Sequence, residues 1–115
     1  MNVYDKAHEL AKALAESQEY RDFKSARDVV YQNEKNKQML VDFKKRQFKI
    51  QTAYLSGQQP TNEQIETMKK LSDLLQSSPE ISLYMQNEYR FNQMISDVYK
   101  IMNDAVEIDL DFLDE

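Results

Sequence analysis

The sequence is poor in the residues that carry most protein chemistry. Of its 115 residues none is cysteine, one is glycine and one is histidine. The lack of cysteine excludes disulfides, thiol catalysis, iron–sulfur clusters and cysteine-based zinc sites. A single glycine argues against a phosphate-cradling loop. His8 has no recognisable catalytic partner and is interpreted as a surface or partly packed side chain. We therefore predict no enzyme, no catalytic residue, no metal site and no cofactor.

Long apolar runs are also missing. No stretch approaches the roughly 18 residues of a membrane-spanning helix. The first ten residues contain Asp5 and lack the apolar segment of a secretory signal. The length fits one domain, residues 1–115. We expect a cytoplasmic protein without a membrane partner.

What the sequence does contain is helical periodicity. Apolar residues at three- and four-residue spacing predict an all-α fold of about five helices. Gly57 and Pro60 mark a hairpin turn that follows a helix over Glu34–Leu55 and makes the third and fourth helices antiparallel. Pro79 begins a fifth helix that runs to about Glu107. Five polar residues are placed to cap the helix N-termini: Asn2, Ser17, Asn33, Thr61 and Ser78.

The two long helices each carry an apolar stripe. In the third helix we expect a stripe facing the core, formed by Leu40, Phe43, Gln47, Ile50 and Tyr54 and widened by Met39, Phe48 and Leu55. The fifth helix would be about 43 Å long, whereas a compact chain of this length is about 35 Å across. We therefore predict an overhanging helix and a homo-oligomer, most simply a dimer. The predicted core and oligomer seam contains Ile81, Tyr84, Glu88, Phe91, Ile95, Val98 and Met102. Within this seam, Glu88 either fixes the register or is exposed.

Charge is distributed unevenly along the chain. Six bases and one acid occupy residues 35–49, although the net charge of the whole chain is −5. The basic candidate docking face contains Lys44, Lys45, Arg46 and Lys49. Three interpretations remain open: a solvated face, a contact with the acidic tail of the same or a neighbouring subunit, and a contact with RNA or DNA. The net negative charge disfavours nucleic acid.

The C-terminal tail, residues 108–115, alternates acids with apolar residues. It is too acidic to extend a helix comfortably at the negative end of the helix dipole. Two interpretations remain: a frayed terminus, or a short motif that docks into a groove.

Two stretches of the sequence carry a family resemblance. "ALAESQEYRDFKSARDVV" and "NEKNKQMLVDFKKRQ" resemble the YheA branch of the YlbF/YmcA family of small helical proteins from Bacillus and related Firmicutes. The resemblance covers nearly the whole chain and implies a self-associating, all-helical fold. It also implies a regulator without catalytic activity, since other branches act in competence, biofilm formation and sporulation, in complexes connected with RNA processing. Those complexes are associated with iron–sulfur clusters held by cysteines, a property that a chain without cysteine does not share.

Together these features predict a regulatory or adaptor protein that acts through protein–protein contacts. The alternative is an RNA-associated module that uses the basic face of the third helix. The resemblance transfers no functional residues, because no agreed motif of the family is available to match.

Overall fold

The computed structural model describes residues 2–106, which form five α-helices and no β-strand. The helices are α1 (Val3–Ala15), α2 (Gln18–Gln32), α3 (Glu34–Leu55), α4 (Asn62–Gln76) and α5 (Pro79–Val106). The predicted all-α fold is confirmed, and the predicted bounds of α3 agree with the structure. Glu107, the predicted end of α5, and the acidic tail 108–115 lie outside the described residues.

Polar side chains fix where the helices begin. The Asn2 side chain accepts hydrogen bonds from the backbone N–H groups of Tyr4 and Asp5 in the first turn of α1. Ser17 and Asn33 each accept the backbone N–H three residues further on, at 3.2 and 3.0 Å. Thr61 and Gln64 form a reciprocal capping box at the start of α4. These contacts satisfy N–H groups that have no partner inside the helix, and they place the break between α1 and α2 at Ser17, as predicted.

One glycine closes the hairpin between α3 and α4. Gly57 has a φ of 95°, a backbone conformation that side-chain-bearing residues rarely adopt. Its N–H donates to the Tyr54 carbonyl at 3.0 Å, and the Gln58 N–H donates to the Ala53 carbonyl at 2.9 Å. This bonding pattern is a Schellman motif, which ends a helix and reverses the chain.

The most extensive helix packing in the structure joins α2 to α5. The ring centroids of Tyr20 and Phe91 lie 5.3 Å apart, and those of Phe23 and Tyr84 lie 5.4 Å apart. Because later residues of α2 meet earlier residues of α5, the two helices are antiparallel. The fold is therefore two antiparallel helix pairs, α2–α5 and α3–α4, joined where α2 leads into α3 and α4 leads into α5.

The core lies where the two helix pairs meet. Four side chains are less than 2% exposed, one from each of α2, α3, α4 and α5: Val30, Leu40, Leu75 and Ile81. Ala26 and Tyr84 complete the buried apolar cluster. Helix α1 has no buried residue. The apolar core thus holds the junction of the helix pairs and leaves their far ends without internal support.

The rest of α3 differs from the sequence-based expectation. Of its predicted core stripe only Leu40 is fully buried, whereas Phe48, Tyr54 and Leu55 are 69%, 58% and 86% exposed. The prediction that these three face the core is wrong, because α3 projects beyond the α2–α5 pair and has only α4 beside its far end. The molecule is correspondingly flat and extended, measuring 49 × 40 × 17 Å with a radius of gyration of 18.0 Å. A compact chain of this length would have a radius of gyration near 13 Å.

A polar contact ties the α3–α4 hairpin to α5. The Glu88 carboxylate forms an ion pair with the Lys44 ammonium and accepts a hydrogen bond from the Tyr84 hydroxyl at 2.9 Å. The Glu88 and Lys44 side chains are 24% and 36% exposed, so both are partly removed from water. Removing one partner of a partly buried ion pair costs more stability than breaking a surface pair, because the remaining charge is left without its partner.

We expect the small core to be sensitive to loss of volume. Leu75→Ala should lower the free energy of unfolding by about 2–5 kcal/mol, since it leaves a cavity at the junction. Leu74→Ala, one residue earlier and 56% exposed, is the matched control and should cost less than about 1 kcal/mol. Urea denaturation followed by circular dichroism measures both. Equal losses would contradict the placement of the core.

We expect the contact between α3 and α5 to stabilise the fold. Glu88→Ala should cost about 1–3 kcal/mol, because it leaves Lys44 and the Tyr84 hydroxyl without their acceptor. The control is Asp104→Ala on the same helix, which breaks the exposed Lys100–Asp104 pair at 2.9 Å and should cause no measurable loss. A Glu88→Ala chain as stable as the parent in urea would show that the contact does not join the helix pairs.

Candidate functional site

Among the described residues, more hydrophobic side chains are exposed than are fully buried. Six hydrophobic residues form the core, whereas fifteen large hydrophobic side chains are at least 40% exposed. Scattered exposed apolar residues are ordinary, but contiguous patches mark interaction surfaces. Several of these side chains are concentrated on the far ends of α3 and α5: Phe48, Tyr54, Leu55, Tyr99, Ile101, Met102 and Val106.

The predicted seam divides into an inner and an outer part. Ile81 and Tyr84 are buried inside the single chain, and Phe91 packs between Tyr20 and Phe23 of α2. The next two seam residues, Ile95 and Val98, are half-buried. Met102 is 43% exposed and lies in a stretch, residues 99–106, in which every side chain is exposed. We call the exposed apolar side chains of this stretch the α5 outer face: Tyr99, Ile101, Met102 and Val106. Its role in self-association stays a prediction.

An open groove lies beside α3 where this helix approaches α2 and α5. Its volume is about 590 Å³. The floor is apolar and aromatic: Tyr31, Leu40, Val41, Phe48 and Tyr84. The rim is basic and polar: Lys44, Lys45, Gln47, Lys49 and Gln51. We call this feature the basic groove. An apolar floor with cations along its edge suits a segment that carries both apolar and acidic side chains.

The structure distinguishes among the four bases of the predicted docking face. Lys44 is paired with Glu88 and lies 5.7 Å from the centre of the Tyr84 ring. Arg46 donates to the Asp42 carboxylate at 3.1 Å. Within residues 2–106, Lys45 and Lys49 form no ion pair and are exposed. The cations available to a partner are therefore these two, while Lys44 is bound within the chain.

The sequence carried a signal for the Lys44–Glu88 pair. Glu88 interrupts an apolar stripe, and a carboxylate in such a position needs a partner. The sequence predicts Glu88 in the core and oligomer seam, where it fixes the register or is exposed, and the structure gives it a partner on α3 of the same chain. Burial of Tyr84, together with its hydrogen bond to Glu88, raises the pKa of the tyrosine above its ordinary value, so the hydroxyl remains a neutral donor.

A second cleft, of about 490 Å³, follows the α3–α4 hairpin. Its walls carry both signs of charge, since Asp42 and Glu63 lie near Lys45 and Arg46. Neither an anion nor a cation would be favoured strongly there. Of these two clefts, the basic groove is therefore the one whose charged lining residues all have the same sign.

The described residues assemble no recognisable chemistry. His8, the single histidine, is exposed on α1. Within residues 2–106 no three histidine, aspartate or glutamate side chains are grouped so that they could hold a metal ion. None of the five described helices combines the length and apolarity needed to cross a membrane. What residues 2–106 offer is apolar helix surface with local charge.

Most of this chain matches one known protein family. The family described as "Control of competence regulator ComK, YlbF/YmcA" matches residues 3–107. A UPF0342 protein of Symbiobacterium thermophilum is 43% identical over 110 residues, which cover 96% of this chain and 98% of that protein.

Two solved structures have the same fold. YheA from Bacillus subtilis is 27% identical, with a TM-score of 0.69 over 93% of this chain and 97% of the other. Bacillus subtilis RicA, solved in complex with RicF, gives a TM-score of 0.63 at 14% identity over 91% of this chain and 93% of the other. At that identity the second likeness shows the fold alone. The resemblance to the YheA branch stated from the sequence is confirmed, and the chain belongs to the YlbF/YmcA family.

Proposed function

We propose that this protein is a non-enzymatic regulatory adaptor that acts by binding other protein chains through exposed helix faces. The proposal rests mainly on the excess of exposed over buried large hydrophobic side chains, seven of which lie at the ends of α3 and α5. A 115-residue chain that served only as a compact globule would gain stability by packing these side chains inside. Their exposure fits surfaces that a partner covers.

The comparisons support the same proposal. The family is linked by its description to the control of a competence regulator. A structural neighbour, RicA, was solved as a complex with another protein, RicF. We infer from these likenesses that protein–protein contact is how the present chain acts, with no catalysed reaction of its own.

The first partner we infer is a second copy of the chain, bound along the α5 outer face. Tyr99, Met102 and Val106 follow one another at three- and four-residue spacing, so they lie on one side of α5. Fully burying a side chain of this size is worth about 1.5–3 kcal/mol before the entropic cost of association. A two-fold axis across this face would bury the same set twice, once from each chain. Such an interface would cover exposed apolar side chains without rearranging the core.

The proposal predicts a specific loss of self-association. Met102→Glu places a charge in the α5 outer face and should weaken dimerisation by roughly tenfold to a hundredfold, as expected for a desolvated unpaired charge. Gln93→Glu is the matched control, since Gln93 is exposed on the same helix and lies nine residues before Met102, which puts it on the opposite side of α5. Sedimentation equilibrium of the full chain measures both variants.

Two outcomes of the sedimentation experiment would contradict the proposal. A parent chain that sediments as a monomer at every concentration would overturn self-association. A parent dimer weakened equally by Met102→Glu and Gln93→Glu would place the interface elsewhere. Circular dichroism of each variant confirms that helix content is retained, so a change in mass reports association and not unfolding.

A further inference from the structure

We propose that the basic groove binds the acidic C-terminal segment, residues 107–115, of a second copy of this chain. The inference rests on the proposed self-association along α5, and it adds a second contact that the α5 interface alone does not require. It assigns an occupant to the groove and a role to the C-terminal segment.

The C-terminal segment and the basic groove carry opposite charge. The segment contains five acids and four apolar residues and no base: Glu107, Ile108, Asp109, Leu110, Asp111, Phe112, Leu113, Asp114 and Glu115. The groove offers an apolar floor edged by Lys45 and Lys49, which are exposed and form no ion pair within residues 2–106. Opposite charge on the two surfaces aligns them and speeds their encounter.

The alternation of acidic and apolar residues in the segment also fits the groove. Acidic and apolar residues alternate from Glu107 to Phe112. In an extended chain, alternation places Ile108, Leu110 and Phe112 on one side and the acids on the other. Five extended residues, 108 to 112, span about 14 Å. The apolar floor follows α3 from Leu40 to Phe48, about 12 Å along the helix axis. The apolar side of the segment, at about 14 Å, therefore matches the floor in length, and its acids point outward, where the long lysine side chains of the rim can meet them.

The length of the C-terminal segment indicates whether it fills the groove of its own chain or that of a second copy. Tyr84, in the floor, lies 22 residues before Val106 on one continuous helix, which is about 33 Å. From Val106 an extended chain reaches Phe112 within about 20 Å. Phe112 of the same chain would therefore fall short of Tyr84 by about 13 Å, even if the segment folded directly back along α5.

A second copy brings the segment within reach of the groove. If two α5 helices pair antiparallel about a point between Tyr99 and Met102, Val106 of the second copy lies opposite Ile95. A further 20 Å of extended chain then carries its Phe112 to the level of Tyr84. The α5 interface and the groove contact are thus compatible within one two-fold dimer, with each chain supplying a segment and a groove.

The absence of cysteine from the chain allows a direct test. A full-length chain with Gln51→Cys, at the groove rim, is mixed with a full-length chain of different mass that carries Asp109→Cys. Mild oxidation should give a disulfide between the two chains. The matched control is Gln38→Cys, an exposed glutamine of α3 that does not line the groove, and it should give at least about tenfold less product, as expected for proximity alone.

Two further variants test the chemistry of the contact. Phe112→Ser in the chain with Asp109→Cys removes an apolar contact, and Lys45→Glu with Lys49→Glu in the chain with Gln51→Cys reverses the rim charge. Each should lower the yield of the mixed disulfide, and raised salt should lower it in the parent pair. Equal yields at Gln51→Cys and Gln38→Cys, or yields unaffected by both sets of changes, would overturn the proposal.

The same samples separate failure of this inference from failure of the proposed function. A chain that sediments as a dimer but gives no groove disulfide keeps self-association and loses the groove contact. A disulfide that forms only within one chain carrying both substitutions would also overturn the assignment to a second copy. A mixed disulfide between Gln51→Cys and Tyr99→Cys, in place of Asp109→Cys, would put the partner's α5 in the groove and overturn the assignment to the C-terminal segment.

Discussion

Four fully buried side chains, one on each of four helices, hold the two antiparallel helix pairs of this protein together. Val30, Leu40, Leu75 and Ile81 meet where α2 leads into α3 and where α4 leads into α5. Each pair extends away from this junction, so helix length beyond it adds surface more than core. The flat shape and the exposed far ends of α3 and α5 follow from this arrangement. The binding surfaces inferred here are consequences of a core that is small relative to the helices it joins.

The polar contacts complement this small core. The Lys44–Glu88 pair and the Tyr84 hydroxyl link α3 to α5 one turn beyond the buried cluster. They hold the α3 side of the basic groove at a set position relative to Tyr84 in its floor. Because Lys44 is part of this ion pair, one of the four bases of the basic face is not available to a partner. Fold stability and the charge available to a partner are therefore set by the same pair of residues.

Much of the fold follows from local signals in the sequence. Ser17, Asn33, Thr61 and Gly57 act through contacts within a few residues, so the ends of the helices could be predicted from sequence alone. The exposure of Phe48 and Leu55 could not, because it depends on how far α3 projects past α2 and α5. The pairing of Lys44 with Glu88, 44 residues apart, likewise depends on the angle between the helix pairs. The basic face can be recognised in the sequence as a run of bases, whereas the pairing that makes Lys44 unavailable to a partner depends on how the helices pack.

The central claim is that the outer part of α5 is covered by a partner chain. Residues 99–106 are exposed in the single chain, and so short a helical end frays readily when nothing packs against it. Hydrogen–deuterium exchange of the full chain, followed by mass spectrometry at low and at high protein concentration, measures this directly. The account predicts that the amides of residues 99–106 gain protection as concentration rises, while those of the buried turn that follows Tyr84 stay protected throughout. Amides of residues 99–106 that exchange rapidly at every concentration would contradict it.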